Sequence, residues 1–411
     1  MSGGASPGPS MEPPAPPDWS ELPADVLGQV LRVLEFPDLF SSSAACRSWR
    51  AAARDLRRLG LYSRPQTPCL LYAAGAGARA AELYSLAGKA TYTVPLPDPP
   101  IGDRRVIGSS HGWLVTADAR SELHLLNPAT GDQLALPPVA TVEQVRPLSD
   151  AAGSLQYLYY NGNPQSEAPA ASAAFAPASF AENFYLKAVL SADPSRGDYA
   201  VMLIHHPDYQ LSFARSGDKH WNWVKFKNNV RFADCIYHDG VFHAMTFHGA
   251  VHIIDVSGDS FTQRLIIKNP MAKIWNVYIV RTPEGEILQV WRITDDQGHV
   301  PRLLRTVDFD VYKVDYEKQG LEPVDSLGDN ALVVGTSYSS CLSVKDFPRL
   351  LPNHIYFDDD NEYWLLEKDG RRDVGVYDYE NGTVTDPVSP VPWPNWPPPV
   401  WIAPSFTKMA K

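Results

Sequence analysis

The sequence predicts a mainly β protein, in which a β-propeller of six or seven blades follows a small all-α domain near the N-terminus. Its 411 residues exceed what one hydrophobic core usually supports, which favours two domains or a repeat array. Helical periodicity is confined to residues 18–61. Turn glycines at Gly112, Gly197, Gly240 and Gly285 lie about 85, 43 and 45 residues apart, close to multiples of one propeller blade.

The N-terminal 61 residues divide into a leader and three short helices. Residues 1–17 are mostly Gly, Ser, Ala and Pro, which predicts a disordered leader. Leu27, Val30, Leu31 and Leu34 follow helical spacing and form one apolar stripe. Pro37 is expected to break this helix, so that the second helix covers Asp38–Ala45 and the third covers Arg47–Leu59. Such a small unit needs a partner or an adjoining domain for stability.

Residues 65–406 consist of short apolar or alternating runs between Gly, Asp, Asn and Pro turns, which predicts strands. A ring of small sheets hides the strand edges that an open sandwich of this size would expose. The predicted strands are Cys69–Tyr72, Ala81–Leu86, Gly112–Thr116, Leu123–Asn127, Tyr185–Leu190, Asp198–Ile204, Cys235–Tyr237, Val241–Phe247, Val251–Val256, Asn276–Arg281, Ile287–Ile293, Arg305–Asp310, Ala331–Gly335, Asn353–Phe357 and Gly375–Tyr379.

Two segments interrupt the strand pattern. Asn161–Ser179 is rich in Ala, Pro and Ser, which predicts a low-complexity loop within the propeller. Pro387–Phe406 alternates proline with tryptophan, which fits either a proline-rich ligand segment or a packed final strand. We favour the final strand, because Trp401-Ile402 comes just before the C-terminus, where a ring would close.

The charge and cysteine content exclude several functional classes. A net charge of −11 disfavours nucleic-acid binding, and the arginines of the third helix fit a solvated face. Four scattered cysteines form neither a disulfide framework nor a zinc motif, which indicates a reducing compartment. Without a secretory signal or a run of about 18 apolar residues, the expected location is cytoplasmic, nuclear or both, with no membrane partner.

The strongest motif lies in residues 18–61. A Leu22-Pro23 opening precedes the apolar helix, Asp38-Leu39 follows the break, and Cys46-Arg47 precedes Trp49. This pattern resembles the F-box, a helical module that docks on the Skp adaptor of SCF-type ubiquitin ligases. A unit this small has more apolar side chains than it can bury internally. The remaining ones are expected to form a protein–protein interface. The residues expected to form the adaptor-facing and hinge-supporting surface are Leu22, Pro23, Leu27, Val30, Leu31, Leu39 and Trp49.

The remainder resembles the plant family called domain of unknown function 295, or KIB-type β-propellers, which commonly follow an F-box. The sequence segments on which this resemblance depends are Gly108–Val115, Leu125–Pro138, Phe232–Met245, Leu327–Gly335, Phe347–Asp360 and Pro397–Phe406. The resemblance implies a plant source and a target-binding role, and it assigns no target-contacting residue.

These observations predict a non-catalytic substrate adaptor of an SCF-type ubiquitin ligase. Its expected partners are a Skp-type adaptor, a cullin scaffold and an unknown target protein, and no cofactor or metal is expected. Two alternatives stay open. Leu27, Leu31 and Trp49 could simply pack on the propeller, and the propeller could be a binding protein or an enzyme that acts without a ligase.

Three patterns resemble catalytic or metal sites. Gly108–Gly112 satisfies the G-x-S-x-G pattern, but a strand is expected after it where a nucleophile elbow needs a helix. His238, His243, His248 and His252 spread over two strands and a turn, so structural roles are expected for them. Asp358–Asp360 lacks the glycine and distal glutamate of an EF-hand loop, and a hairpin turn is the favoured interpretation.

Overall fold

The computed structural model describes residues 17–59, 61–62, 64–161, 170–258, 260–268, 276–296, 304–360 and 368–409. The predicted leader at 1–17 lies outside this part of the chain except for residue 17. Two compact units are present: unit 1 comprises residues 1–34 and 38–64, and unit 2 comprises residues 35–37 and 65–411. No helix in the described part is long and apolar enough to cross a membrane.

Unit 1 contains a short 3-10 turn at Trp19–Glu21, helices α1 (Ala24–Arg32) and α3 (Arg47–Arg58), and helix α2 (Phe36–Ala45) except for its first two residues, which belong to unit 2. Buried side chains of α1 and α3 form its core. Asp25 in the first turn of α1 and Arg32 in the last turn complement the helix dipole.

Helix α2 begins two residues earlier than the sequence predicts, at Phe36 instead of Asp38. Pro37 occupies the first turn, where the missing N–H has no intrahelical acceptor, so the proline starts this helix. Phe36 packs within unit 2, stacked on Phe406 at 5.9 Å between ring centroids and edge-to-face with Tyr92 at 5.6 Å.

The described part of unit 2 forms seven antiparallel or mixed sheets. Their strands are β1 (Cys69–Ala73), β2 (Ala80–Ser85), β3 (Ala90–Pro95), β4 (Arg105–Ser110), β5 (Trp113–Ala117), β6 (Leu123–Leu126), β7 (Gln133–Ala135), β8 (Val145–Ser149), β9 (Leu155–Asn161), β10 (Ala170–Ala171), β11 (Tyr185–Leu190), β12 (Ala200–His205), β13 (Gln210–Arg215), β14 (Asn222–Trp223), β15 (Phe232–His238), β16 (Val241–Thr246), β17 (Val251–Asp255), β18 (Thr262–Ile267), β19 (Asn276–Arg281), β20 (Ile287–Asp296), β21 (Leu304–Asp315), β22 (Gly320–Pro323), β23 (Asn330–Val334), β24 (Ser340–Ser343), β25 (His354–Phe357), β26 (Gly375–Asp378), β27 (Thr383–Thr385) and β28 (Val400–Ile402). The predicted mainly β architecture is confirmed.

Six of these sheets are the blades of a propeller. Blade 1 is β28 with β1–β3, blade 2 is β4–β7, blade 3 is β11–β14, blade 4 is β15–β18, blade 5 is β19–β22 and blade 6 is β23–β27. The inner strands meet in ring order, from β28 through β4, β11, β15 and β19 to β24. One apolar cluster spans blades 6 and 1, with Val333 and Tyr356 from blade 6 and Leu70 and Trp401 from blade 1. The ring is therefore closed.

The seventh sheet, β8–β10, is an insertion between blades 2 and 3, because β4 packs directly on β11. The 85 residues between Gly112 and Gly197 thus hold one blade repeat plus this insertion. The predicted loop at Asn161–Ser179 contains β10, which pairs with β9, and the start of helix α4 (Pro177–Phe184). Phe180 and Phe184 of α4 are fully buried and stack at 4.7 Å between centroids. Residues 162–169 of the predicted loop lie outside the described residues, and β10 with the start of α4 gives secondary structure to part of the rest.

The propeller has two structurally different ends. At the hairpin end, the first strand of a blade turns into the second through residues such as Gly112 and Gly197, whose φ values of 80° and 90° favour glycine. At the connection end, the second strand turns into the third, and one blade leads into the next. Functional loops are expected at such connections.

The C-terminal strand β28 completes blade 1. Leu71, Leu70 and Cys69 of β1 pair with Val400, Trp401 and Ile402 in antiparallel register. Trp401 and Ile402 are fully buried. The final-strand interpretation of the tail is therefore correct for residues 400–402.

Candidate functional site

The structure separates the predicted adaptor-facing residues into two groups. Leu27, Leu31 and Leu39 are buried, with 1%, 0% and 2% of their surface exposed. Leu22, Val30 and Trp49 are half-buried, and Pro23 is exposed. Buried side chains cannot meet a partner directly, so the second group is the one that can touch another protein. The adaptor role of the whole set stays a prediction.

Unit 1 also exposes apolar side chains that the sequence analysis did not single out. The exposed fractions are 62% for Trp19, 60% for Val33, 57% for Leu59 and 45% for Leu61. Val33 extends a stripe of α1 that begins with the half-buried Val26 and Val30 at i, i+4 and i+7 spacing. Helix α1 and its C-terminal end thus carry more apolar side chains than the buried face needs. This surplus is visible in the sequence and could have identified Val33 as an exposed apolar residue.

Hydrogen bonds hold this exposed surface in place. The indole N–H of Trp49 donates to the carbonyl of Trp19 at 2.9 Å, and Ser48 Oγ donates to the carbonyl of Ser20 at 2.8 Å. The Tyr62 hydroxyl and the Arg64 guanidinium donate to the carbonyls of Leu34 and Val33, which directly follow the end of α1. The apolar surface therefore lies on a prearranged backbone.

A buried ion pair occupies the inner strands of the propeller. Lys187 Nζ of β11 lies 2.7 Å from Asp234 Oδ1 of β15, and their side chains are 9% and 0% exposed. Asp234 Oδ2 also accepts from the backbone N–H of Ile279 at 3.1 Å and from Ser339 Oγ at 3.2 Å. This central ion pair links blades 3, 4 and 5 to the segment before β24. Its polar groups bond to one another, which is the pattern of a structural link.

The Asp358–Asp360 segment differs from the predicted hairpin turn. Its acidic side chains enter buried networks: Asp358 accepts from Thr336 N at 2.9 Å, and Asp360 pairs with Arg292 at 2.7 Å. Arg292 also pairs with Asp373 at 2.8 Å. Burial is the main cause that raises the pKa of Asp358 to about 7. The sequence could not show this, because the arginine lies far away along the chain.

The histidines do not converge. The rings of His238 and His243 lie 5.8 Å apart, whereas His252 packs against Phe226 and His248 is exposed in a turn. In the described part of the chain, no group of three or more His, Cys, Asp or Glu side chains could hold a metal ion.

His205 shows what a structural histidine does in this fold. It is fully buried, its Nδ1–H donates to the carbonyl of His206 at 2.6 Å, and its Nε2 accepts from Ser212 Oγ at 2.8 Å. Its ring stacks on Phe184 at 4.9 Å. Burial lowers the pKa of His205 to about 4. The neutral imidazole is therefore the folded form.

This pKa predicts a pH-dependent stability. Because the folded pKa lies below the ordinary histidine value of 6.5, the His205 contribution is present above pH 6.5 and is lost as the pH falls through 4. The loss approaches about 3 kcal/mol below that pH. Urea unfolding of the wild type and His205→Gln across this range measures it, with exposed His248→Gln as the control. Identical pH profiles for the wild type and His205→Gln would contradict the prediction.

The G-x-S-x-G pattern forms a hairpin. Ser110 ends β4, His111 and Gly112 make the turn with φ of 54° and 80°, and β5 starts at Trp113. A strand therefore follows the serine where a nucleophile elbow has a helix. The turn interpretation is correct.

A cavity of about 290 Å³ lies at the connection end of blades 1 and 2. Ile101, Ala181, Trp396 and Pro397 contribute to its mainly apolar lining. The Lys368 ammonium lies 4.6 Å from the Trp396 ring centroid and 3.2 Å from Glu182. The proline-rich tail therefore has two parts, one that lines this cavity and one that forms β28.

Comparison with known proteins identifies two family matches along the chain. The KIB1-4 beta-propeller family matches residues 83–378, and the F-box-like family matches residues 19–59. F-box only protein 7 of Arabidopsis thaliana is 25% identical over 395 residues, which cover 90% of each chain. F-box protein At4g35733 of the same plant is 26% identical over 389 residues, which cover 90% of this chain and 94% of that protein.

Solved structures with similar folds are more distant. A quinonprotein alcohol dehydrogenase-like protein from Bacteroides thetaiotaomicron has a TM-score of 0.36 and 11% identity, and the match covers 78% of this chain and 75% of that chain. For virginiamycin B lyase from Staphylococcus aureus the TM-score is 0.30 and the identity 11%, with 63% and 84% covered.

Proposed function

Because this chain belongs to the KIB1-4 β-propeller family and carries an F-box-like unit before its propeller, we propose that it is the substrate-recognition subunit of an SCF-type ubiquitin ligase. Its membership confirms the two resemblances found in the sequence. An F-box joined to a propeller suggests an F-box substrate-recognition protein. In the proposal, unit 1 binds a Skp-type adaptor and through it the cullin scaffold, and the propeller binds a target protein.

The observation that carries this proposal is the apolar surface of unit 1. Among the described residues, eleven large apolar side chains are exposed, and four of them lie in the small unit 1. Exposed apolar side chains concentrated on a small helical unit mark a protein interface. The aromatic Trp19 and Trp49 are of the kind that anchors such interfaces.

The proposed subunit performs no bond chemistry. It holds a target near the ubiquitin-transferring enzyme and so raises the effective concentration of the target lysines. The bonded central ion pair and the separated histidines favour this role over the alternative of an enzyme. The second alternative, a propeller that binds its target without a ligase, leaves the apolar surface of unit 1 unused.

The proposal includes a cytoplasmic or nuclear location. Cys46, Cys69, Cys235 and Cys341 are all free thiols, and the last three are buried. Such thiols fit a reducing compartment.

Adaptor binding is tested by changing the exposed apolar residues. We expect Trp19→Lys and Val33→Lys each to weaken binding to a purified Skp-type adaptor about tenfold, because each buries a charge in the interface. Both side chains are exposed, so unit 1 keeps its fold. Affinity is measured by surface plasmon resonance on the full chain. Val384→Lys changes a 41% exposed propeller residue in the same way and serves as the control.

The buried residues give a different result. Leu27→Asp is expected to unfold unit 1, so loss of adaptor binding by that variant would not identify the surface. If Trp19→Lys, Val33→Lys and Val384→Lys all bind the adaptor like the wild type, the ligase role loses its support.

A further inference from the structure

A second cavity, of about 340 Å³, lies at the connection end of blade 3, and we call it the blade 3 cavity. Its wall is the loop of residues 225–231, which joins β14 to β15. The backbone N–H of Val224 donates to Leu211 at 2.9 Å, and that of Phe232 donates to Tyr209 at 3.0 Å. Both ends of the loop are therefore fixed, and the cavity is preformed.

The floor of the blade 3 cavity is apolar. Leu211 and Val224 are 0% and 1% exposed, and half-buried Phe226 and Val230 complete the lining. Phe226 is held by Phe232 and His252, at 5.1 and 5.2 Å between ring centroids. A rigid apolar floor of this size suits one aliphatic side chain with the backbone next to it.

One residue of the lining, Gln210, carries an amide donor. Gln210 is 8% exposed, and its Oε1 accepts from Gln144 Nε2 at 3.0 Å. Among the described residues, no group accepts a hydrogen bond from Gln210 Nε2. The neighbouring Gln144 Oε1 is buried and has no partner in that part of the chain either. Gln210 Nε2 is not among the buried atoms without a partner, so it stays accessible and can donate to a ligand in the cavity.

The rim of the cavity carries a second donor without a described acceptor, the ammonium of Lys227. Asp208, the carboxylate in the lining, is satisfied, because it accepts from Arg231 at 2.6 Å and from Asn229 at 3.1 Å. Lys227 is exposed, and no described carboxylate pairs with it. Gln144 does not line the cavity, so the unmatched groups of the lining, Gln210 Nε2 and Lys227 Nζ, are both donors. The complementary ligand group is therefore an acceptor, best an anionic one.

We propose that the blade 3 cavity binds the C-terminal residue of the target protein, with its aliphatic side chain on the apolar floor and its carboxylate between Gln210 Nε2 and Lys227 Nζ. A chain end at Leu, Ile or Val carries the carboxylate and the aliphatic group on one Cα. An internal Asp or Glu also supplies a carboxylate, but it has no branched aliphatic group on the same Cα. Such a residue would meet the two donors and leave the apolar floor unfilled. The inference rests on the proposed function, whose target it describes.

Labelled heptapeptides test this assignment on the full chain. The peptides share six Gly and Ser residues and end in Leu, Val, Lys or Asp, each as the free acid and as the amide. Fluorescence anisotropy is expected to show the Leu and Val acids binding about tenfold more tightly than their amides and than the Lys and Asp peptides. Equal binding of acid and amide, or no binding of the Leu and Val acids, would overturn the proposal.

Cavity variants locate the binding. Gln210→Leu and Lys227→Glu should each weaken the Leu acid about fivefold or more, and Val230→Trp should abolish binding by filling the space. Lys219→Glu makes the same charge change at a residue outside the lining and should bind like the wild type. Thermal unfolding confirms that each variant is folded. Unchanged peptide binding by folded Gln210→Leu and Lys227→Glu would refute the assignment.

The ligase role and the blade 3 cavity assignment can be refuted independently of each other. Adaptor affinity depends on unit 1 and peptide affinity on unit 2, so each is measured without the other. A chain that binds the adaptor and none of the peptides keeps the ligase role and loses the blade 3 assignment.

Discussion

Removal of residues 400–411 is expected to prevent the propeller from reaching a stable fold. The deletion removes β28, so β1 loses its inner partner and Trp401 leaves the cluster that joins blades 6 and 1. Loss of a fully buried tryptophan alone costs about 3–5 kcal/mol. A typical domain has only about 5–15 kcal/mol of stability. Urea unfolding and soluble yield of the truncated chain measure the effect.

The substitution Trp401→Ala tests the same closure without shortening the chain, and a large loss of unfolding free energy is expected. Trp396→Ala is the matched control, because Trp396 is half-buried beside a cavity and lies outside β28. A truncated protein with the unfolding midpoint of the wild type would show that blade 1 is complete without its C-terminal strand.

The second large effect is expected at the central ion pair. Asp234→Ala removes the carboxylate that faces Lys187 at 2.7 Å and leaves a buried ammonium without its counter-charge. The acceptor for the Ile279 N–H is lost at the same time. Breaking a buried pair in this way costs about 3–5 kcal/mol. The free energy of urea unfolding is the measurement.

A double substitution separates the cost of the orphaned charge from the loss of packing. Lys187→Met/Asp234→Leu removes both charges and is expected to be more stable than Asp234→Ala, because no unpaired ion stays buried. Asp329→Ala is the control, because Asp329 pairs with the exposed Lys345 at 3.0 Å on the surface. Its free energy of unfolding is expected to change by less than about 1 kcal/mol. Equal losses for Asp234→Ala and Asp329→Ala would contradict a structural role for the central pair.

The sequence predicts individual strands better than it predicts their assembly. Tyr185–Leu190 and Asn276–Arg281 have the predicted bounds, because period-two patterns and turn residues are local signals. The blade number depends on which strands meet across the ring. The insertion of β8–β10 makes one blade repeat as long as two, and only the contact between β4 and β11 reveals it.

The same limit applies to the candidate sites. Helical spacing places Leu27 and Leu31 on an apolar stripe, and the structure shows that this stripe is the core of unit 1. Which apolar residues stay exposed, such as Val33, depends on the packing of α3 and the capping of α1. The pairs Lys187–Asp234 and Arg292–Asp360 join residues far apart in the chain, so no local motif marks them.

The position of β28 also orders events during synthesis. Unit 1 precedes the propeller in the chain, and domains generally fold in the order in which they emerge from the ribosome. The innermost strand of blade 1 follows every described strand of the other blades in the chain, so the ring stays an open arc until residues 400–402 have been translated. A product that ends before residue 400 would thus contain unit 1 and an open propeller in which β1 lacks its inner partner.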